Sequence, residues 1–190
     1  MTGTASNHLV PEQNTPEVWI ADTSNPLPSS FAADLAAEGY TSLGYLDSAP
    51  EFASEADETT YIPWNSPDPT HTCLTNKVKT VALRLAETTR ETVEMCFGTG
   101  TWTVAFGGVR FVPSGAAYPP KRLVYRVIDD TGAIFLSVYS VVQVSSVDEI
   151  LTQDDKCSTM FWGVTFKQMA PMPGEPAWQL LSTLPQLVTP

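Results

Sequence analysis

The run AIFLSVYSVVQV, Ala133 to Val144, constrains the fold more than any other stretch of this chain. Fully extended it spans about 40 Å, roughly twice an ordinary strand. Ile134, Leu136 and Val138 fall on one side, while Phe135, Tyr139 and Val141 fall on the other. A strand that is apolar on both faces has to be buried on both, so a core is needed on one side and a second cover on the other. The preceding run RLVYRVID is joined to it by DDTG, a sequence suited to a tight hairpin.

Other segments read the same way. KVKTVALRLAET alternates strongly, WTVAFGG and VRFVP are short strands, and STMFWGVTFKQMA is a last long one. PEVWIADT and SLGYLDS are shorter candidates near the start. With 190 residues, 43% of them apolar, the chain has room for one domain with a real core. The expected fold is all-β dominated, a β-sandwich or barrel with one short flanking helix. Residues 1–16 read as an N-terminal arm, 17–170 as the domain and 171–190 as a C-terminal arm whose Trp178, Leu180 and Leu181 need a surface to cover.

The helix is expected over 88–97. Thr88 and Glu91 have the spacing of a capping box, in which hydroxyl and carboxylate each accept from an early amide. Val93, Cys96 and Phe97 share one face, and Gly98 suits a left-handed stop. A helix this short is marginal alone and must be held by packing on a sheet.

Charge is unevenly placed. Residues 1–76 contain eleven acids and no Lys or Arg, whereas 77–190 contain ten of each sign, so the whole net charge of −11 sits in the first part. Such a field repels nucleic acid, which is bound through Lys and Arg. Five of the acids, Asp47, Glu51, Glu55, Asp57 and Glu58, lie in a polar stretch over 47–76 that also holds three prolines between 63 and 69. That stretch reads as a long acidic and Pro-rich loop, and loops of such length are usually functional.

Catalytic chemistry is not evident. Asp130-Thr131-Gly132 copies the aspartic-protease triplet, yet such an enzyme needs a second carboxylate to share its proton. With Asp129 before them, these residues are equally good turn chemistry, Gly132 supplying positive φ. His71 and Cys73 do not complete a tetrahedral metal site, and Cys96 is most simply a small core residue. No cofactor or metal is expected. The start, MTGTASNHLVPEQNTPEVW, lacks the basic and apolar regions of a signal peptide, and no stretch has the roughly 18 apolar residues of a membrane span. Three widely spaced cysteines fit synthesis in a reducing cytoplasm.

Four segments in order carry a resemblance: VWIADTSNPLP, GYTSLGYLDSAPEF, YIPWNS and KTVALRLAETTRETVEMCFG. Together they resemble the major tail protein, or tail tube protein, of long-tailed phages of actinobacterial hosts, over about residues 17–170. The resemblance implies a β-sandwich with a flanking helix and copies closing into rings, six to a ring, that stack into a tube. In that setting the apolar faces carrying Phe135, Tyr139, Val141, Phe161, Val164 and Phe166 are expected to be sealed by neighbouring copies. Some of the acids between 47 and 58 are expected at the channel or at the ring–ring contact, where they let DNA pass without sticking. The partners implied are further copies, tape-measure, terminator and tip proteins, and passing genomic DNA, in a virion tail assembled in the host cytoplasm. A capsid-decorating or tail-terminating protein would use similar β architecture. An aspartic-protease-like enzyme is the remaining alternative.

Overall fold

The computed structural model describes residues 16–30, 32–62, 64, 71–105, 107–128, 132–148, 151–152 and 160–183. Its strands in chain order are β1 (Glu17–Asp22), β2 (Thr41–Ser42), β3 (Glu51–Tyr61) and β4 (His71–Leu85). After the helix α1 (Arg90–Phe97) come β5 (Gly100–Ala105), β6 (Gly108–Pro113), β7 (Lys121–Ile128) and β8 (Ile134–Val147). The chain closes with β9 (Leu151–Thr152), β10 (Met160–Gln168) and β11 (Trp178–Ser182). Nine strands form one antiparallel sheet in the order β2-β1-β7-β8-β10-β4-β3, with β11 added to β8 and β9 to β10. β5 and β6 form a separate hairpin. The strand-dominated architecture with one helix is the one expected.

β8 organises the sheet. One edge pairs with β7 over Ile134–Val142. The other is shared end to end, β11 taking Phe135–Tyr139 and β10 taking Val142–Val147. Its imperfect alternation has a cause in this pairing. Between Lys121↔Val142 and Leu123↔Tyr139 the register shifts, leaving Ser140 and Val141 opposite the single residue Arg122. Up to Val138 the even positions face one core cluster, with Leu136 and Val138 beside Ala21, Leu35, Tyr40 and Val124. Beyond the bulge the even residue Val142 joins Tyr139 in the other, larger cluster. That cluster also gathers Val18, Leu83, Leu123, Trp162, Val164 and Phe166 from four other strands.

The second face of β8 is covered by the chain's own 23–40 segment. Leu35 and Tyr40 are buried on it, and the Tyr40 hydroxyl donates to Pro26 O at 2.9 Å. Burial pushes the Tyr40 phenol up to about 12. Thus the expectation that neighbouring copies seal these strands is corrected. Tyr139, Val141, Phe161, Val164 and Phe166 are buried, and Phe135 half-buried, against their own chain. Apolar periodicity reports that a face is covered, and carries no information on what covers it.

The helix begins one residue late. Thr89, not Thr88, is the N-cap, accepting from Thr92 N at 3.1 Å. Thr88 Oγ1 instead accepts from the Trp162 indole at 3.1 Å. The capping box does not form, because with Thr89 as the cap the third position is Thr92; Glu91 accepts from the Tyr118 hydroxyl at 2.5 Å, and burial first, then this bond, raises the Tyr118 phenol. Thr92 and Met95 are the buried helix residues. Val93 and Cys96 pack partly against the main core, while Phe97 is half exposed and meets Trp162 edge-on. Gly98 ends the helix at φ +80 with an extended ψ rather than a left-handed helical one. A Cβ there would lie 2.2 Å from Ala116 O, so the position requires glycine.

Candidate assembly surface

The expectation of an unstructured loop over 47–76 is also corrected. β3 and β4 pair as a long antiparallel hairpin from Glu51↔Ala82 to Tyr61↔His71. All eleven residues of β3 are exposed. β4 pairs with β10 only over Thr80–Leu85. Residues 71–79 of β4 pair with β3 alone, and Lys77 and Lys79 still border the 168–177 segment, so the ribbon stands clear of the other strands beyond Asn76. β3 also ends the sheet order, so its outer edge is open.

The hairpin has its own bulge. Its register shifts between Glu55↔Val78 and Asp57↔Thr75, and Asn76 there adopts φ +49. Asparagine tolerates that conformation, and its side-chain amide donates to the Asp57 carboxylate at 2.8 Å. At the base, the Phe52 ring lies 5.5 Å from Tyr125 and 6.4 Å from Tyr139, anchoring β3 to the core side.

This arrangement sorts the five acids. By strand alternation Glu51, Glu55 and Asp57 share one face of the hairpin, and Glu58 faces the other way with Phe52. Asp47 stands apart before β3, ion-paired with Arg84 at 3.2 Å. The tip is apolar. Tyr61, Ile62 and Leu74 are largely exposed and Trp64 is 98% exposed. Tyr61, Ile62 and Trp64 belong to the YIPWNS segment of the resemblance, while Leu74 stands in no sequence pattern.

At the other end of the chain, Trp178–Ser182 form β11 on the chain's own β8 rather than a free arm. The Trp178 indole donates to Ser137 Oγ at 2.7 Å, and Lys79 Nζ lies 4.8 Å above its ring. Leu181 packs on the second core cluster, and Leu180 is more than a third exposed. Gly132 sits in the β7–β8 connection at φ +80, while Asp130 and Thr131 lie outside the described residues. Burial pushes the Cys96 thiol up to about 11, which suits packing rather than nucleophilic chemistry. Among the described residues, no three His, Cys, Asp or Glu side chains gather to hold a metal ion.

An open-edged, exposed hairpin is a feature suited to pairing with another chain. Residues 1–187 match the family model described as phage tail tube protein. The chain belongs to this family. No curated protein matches it. As a tail tube protein it is a structural component of the virion tail. Among its described residues no helix is long and apolar enough to cross a membrane.

Proposed function

We propose that copies of this tail tube protein close into rings, six to a ring, and that the rings stack into the hollow tube of a long-tailed phage of an actinobacterial host. The observation that carries the reading is the β3–β4 hairpin. A two-stranded ribbon standing clear of its sheet is marginal in water, and this one offers an eleven-residue open edge with Tyr61, Ile62, Trp64 and Leu74 exposed toward its far end. Further copies of the chain would supply the missing cover. Tape-measure, terminator and tip proteins would bound the tube at its ends.

The charge supports a conduit for DNA. Six copies bring roughly −66 formal charges to a ring. The face bearing Glu51, Glu55 and Asp57 would line the channel or the ring–ring contact, where carboxylates repel phosphate and leave genomic DNA free to slide.

Sedimentation velocity over a wide concentration range tests the assembly mode. The expected result is a 20.6 kDa monomer giving way to an open-ended series of larger species. One closed species of fixed mass, unchanged by further concentration, would instead indicate a terminator or decoration ring.

A further inference from the structure

Within one sheet, β11 and the outer part of β4 present open edges toward each other. β11 continues the line of β10 beside β8. Met169 N donates to Val141 O, the chain loops out, and it returns where Ser140 N donates to Ala177 O. β4 borders this line, antiparallel to it, as far as the pair Lys167↔Thr80. Past that point β4 pairs with β3, and β11 with β8. Lys77, Lys79, Gln168, Met169 and Ala177 are among the residues lining the cleft of about 360 Å³ where the two edges part. Lys79 Nζ still lies above the Trp178 ring at its base.

Three features match the edges to each other. The first is register. Continued residue by residue from Lys167↔Thr80 through Met169 and Ala177, it brings Trp178 opposite Asn76 and Leu180 opposite Leu74. The second is bonding. Ala177 O and Thr183 N bond to β8, so by alternation Trp178 and Leu180 turn their backbone groups outward. On β4, Arg84 O and Ala86 N bond to the 45–47 segment, so the even residues face that side down to Val78. The bulge at Asn76 shifts the alternation. From Thr75 onward the odd residues face β3, which leaves the N–H and C=O of Leu74 turned toward β11. The third is the side-chain face. Leu74 stands opposite Glu58, on the face where Phe52 lies against Tyr139. Leu180 shares that face with Trp178, the partner of Tyr139. Both leucines are exposed, Leu74 by 57% and Leu180 by 37%.

We propose that the hairpin swings about the Asn76–Asp57 bulge and lays β4 on β11, so that the chain covers two of its own open edges until it assembles. The structure holds the raised position. In the lowered one Leu74 and Leu180 form a cross-strand pair and their backbone groups bond to each other. That removes edges through which strands pair with foreign chains. Among the described residues Asn76 alone combines a side chain with positive φ, at +49, and its amide holds the Asp57 carboxylate. A bulge of this kind bends the strand that carries it. The swing belongs to the single chain, and only its effect on assembly rests on the tube reading.

The test combines Leu74→Cys and Leu180→Cys with Cys73→Ser, which removes the neighbouring thiol, and follows oxidation of the dilute full chain by peptide mapping. Paired strands bring the two Cα atoms within the reach of a disulfide. A bond between positions 74 and 180 of one chain should form at least tenfold faster than in a control carrying Thr72→Cys instead of Leu74→Cys, two residues out of register. Equal rates, or bonds between chains only, overturn the proposal. The bonded chain should stay monomeric at concentrations where its reduced form assembles, and equal assembly of the two forms overturns the resting role. A reduced form that never assembles counts against the tube reading and leaves the cross-link result standing. Hydrogen exchange supplies a measurement without cysteines: Leu180→Asp should speed exchange at the Leu74 amide at least threefold, and an unchanged rate overturns the pairing.

Discussion

The guanidinium of Arg122 meets the carboxylate of Glu175 through two parallel hydrogen bonds of 2.7 and 2.8 Å, with the arginine only 2% exposed. Its other three donors are also used, reaching Asn25 O at 2.5 Å, Thr23 O at 2.8 Å and Ser140 O at 3.3 Å. All five N–H groups of the side chain thus have partners, the condition under which a buried arginine is tolerated. One residue opposite the β8 bulge ties together the 23–40 cover, the centre of the sheet and the segment leading into β11.

Removing that centre should be costly. Arg122→Ala strands the Glu175 carboxylate and three carbonyls, and is expected to lower stability by about 3–5 kcal/mol. Arg122→Lys should recover little, because an ammonium cannot reproduce the planar fork. Urea denaturation midpoints of the three chains check both statements.

The same pair sets a dependence on acid. Hydrogen bonds from Arg122 are the main cause holding the Glu175 carboxyl below its ordinary 4.5, opposed by burial and aided by the arginine's charge. Because the folded-state value is depressed, the stabilisation is complete above the unfolded value and drains away as pH falls through the folded one. The gap in thermal midpoint between the unmodified chain and Glu175→Gln should therefore be full above the ordinary carboxyl value of 4.5 and shrink as the solution is made more acidic than that. A gap independent of pH would contradict this.

The helix start separates two neighbouring threonines. Thr89→Ala removes the N-cap and should cost about 0.5–2 kcal/mol. Thr88→Ala leaves the Trp162 indole without its acceptor, at about 1–3 kcal/mol, and should alter tryptophan fluorescence where Thr89→Ala does not. Were Thr88 the cap, Thr89→Ala would be nearly silent.

The proposed channel face can be tested by reversing it. Tubes of a Glu51→Lys, Glu55→Lys, Asp57→Lys chain should retain DNA that unmodified tubes release. Each phosphate neutralised should steepen the dependence of log affinity on log salt by about 0.9. Filter binding across a salt series measures this, and unchanged release would remove these acids from the channel.

What the sequence reveals depends on who does the burying. The β4, β7, β8 and β10 strands are legible because their apolar residues face a core within the chain. The β7–β8 pairing is legible from two apolar runs only a few residues apart. β3 is not, because EFASEADETTY has both faces in water and so shows no apolar period. β11 depends on a distant pairing with β8, and a five-residue run among prolines does not announce it. Arg122 and Arg126 both read as a polar strand face, yet only the first is fully enclosed, at a bulge that no local pattern marks. Thr88 and Thr89 are both competent caps, and the choice falls to Trp162, 74 residues from Thr88. The candidate assembly surface is half legible: its acids stand out by charge, while the exposure of Tyr61, Ile62 and Trp64 follows from no local pattern.

The most direct test of the account is negative-stain electron microscopy of the purified chain at rising concentration and over a range of salt. Hollow tubes of stacked, uniform rings are the predicted result. Closed rings that never stack, or isolated 20.6 kDa particles under every condition, would contradict it.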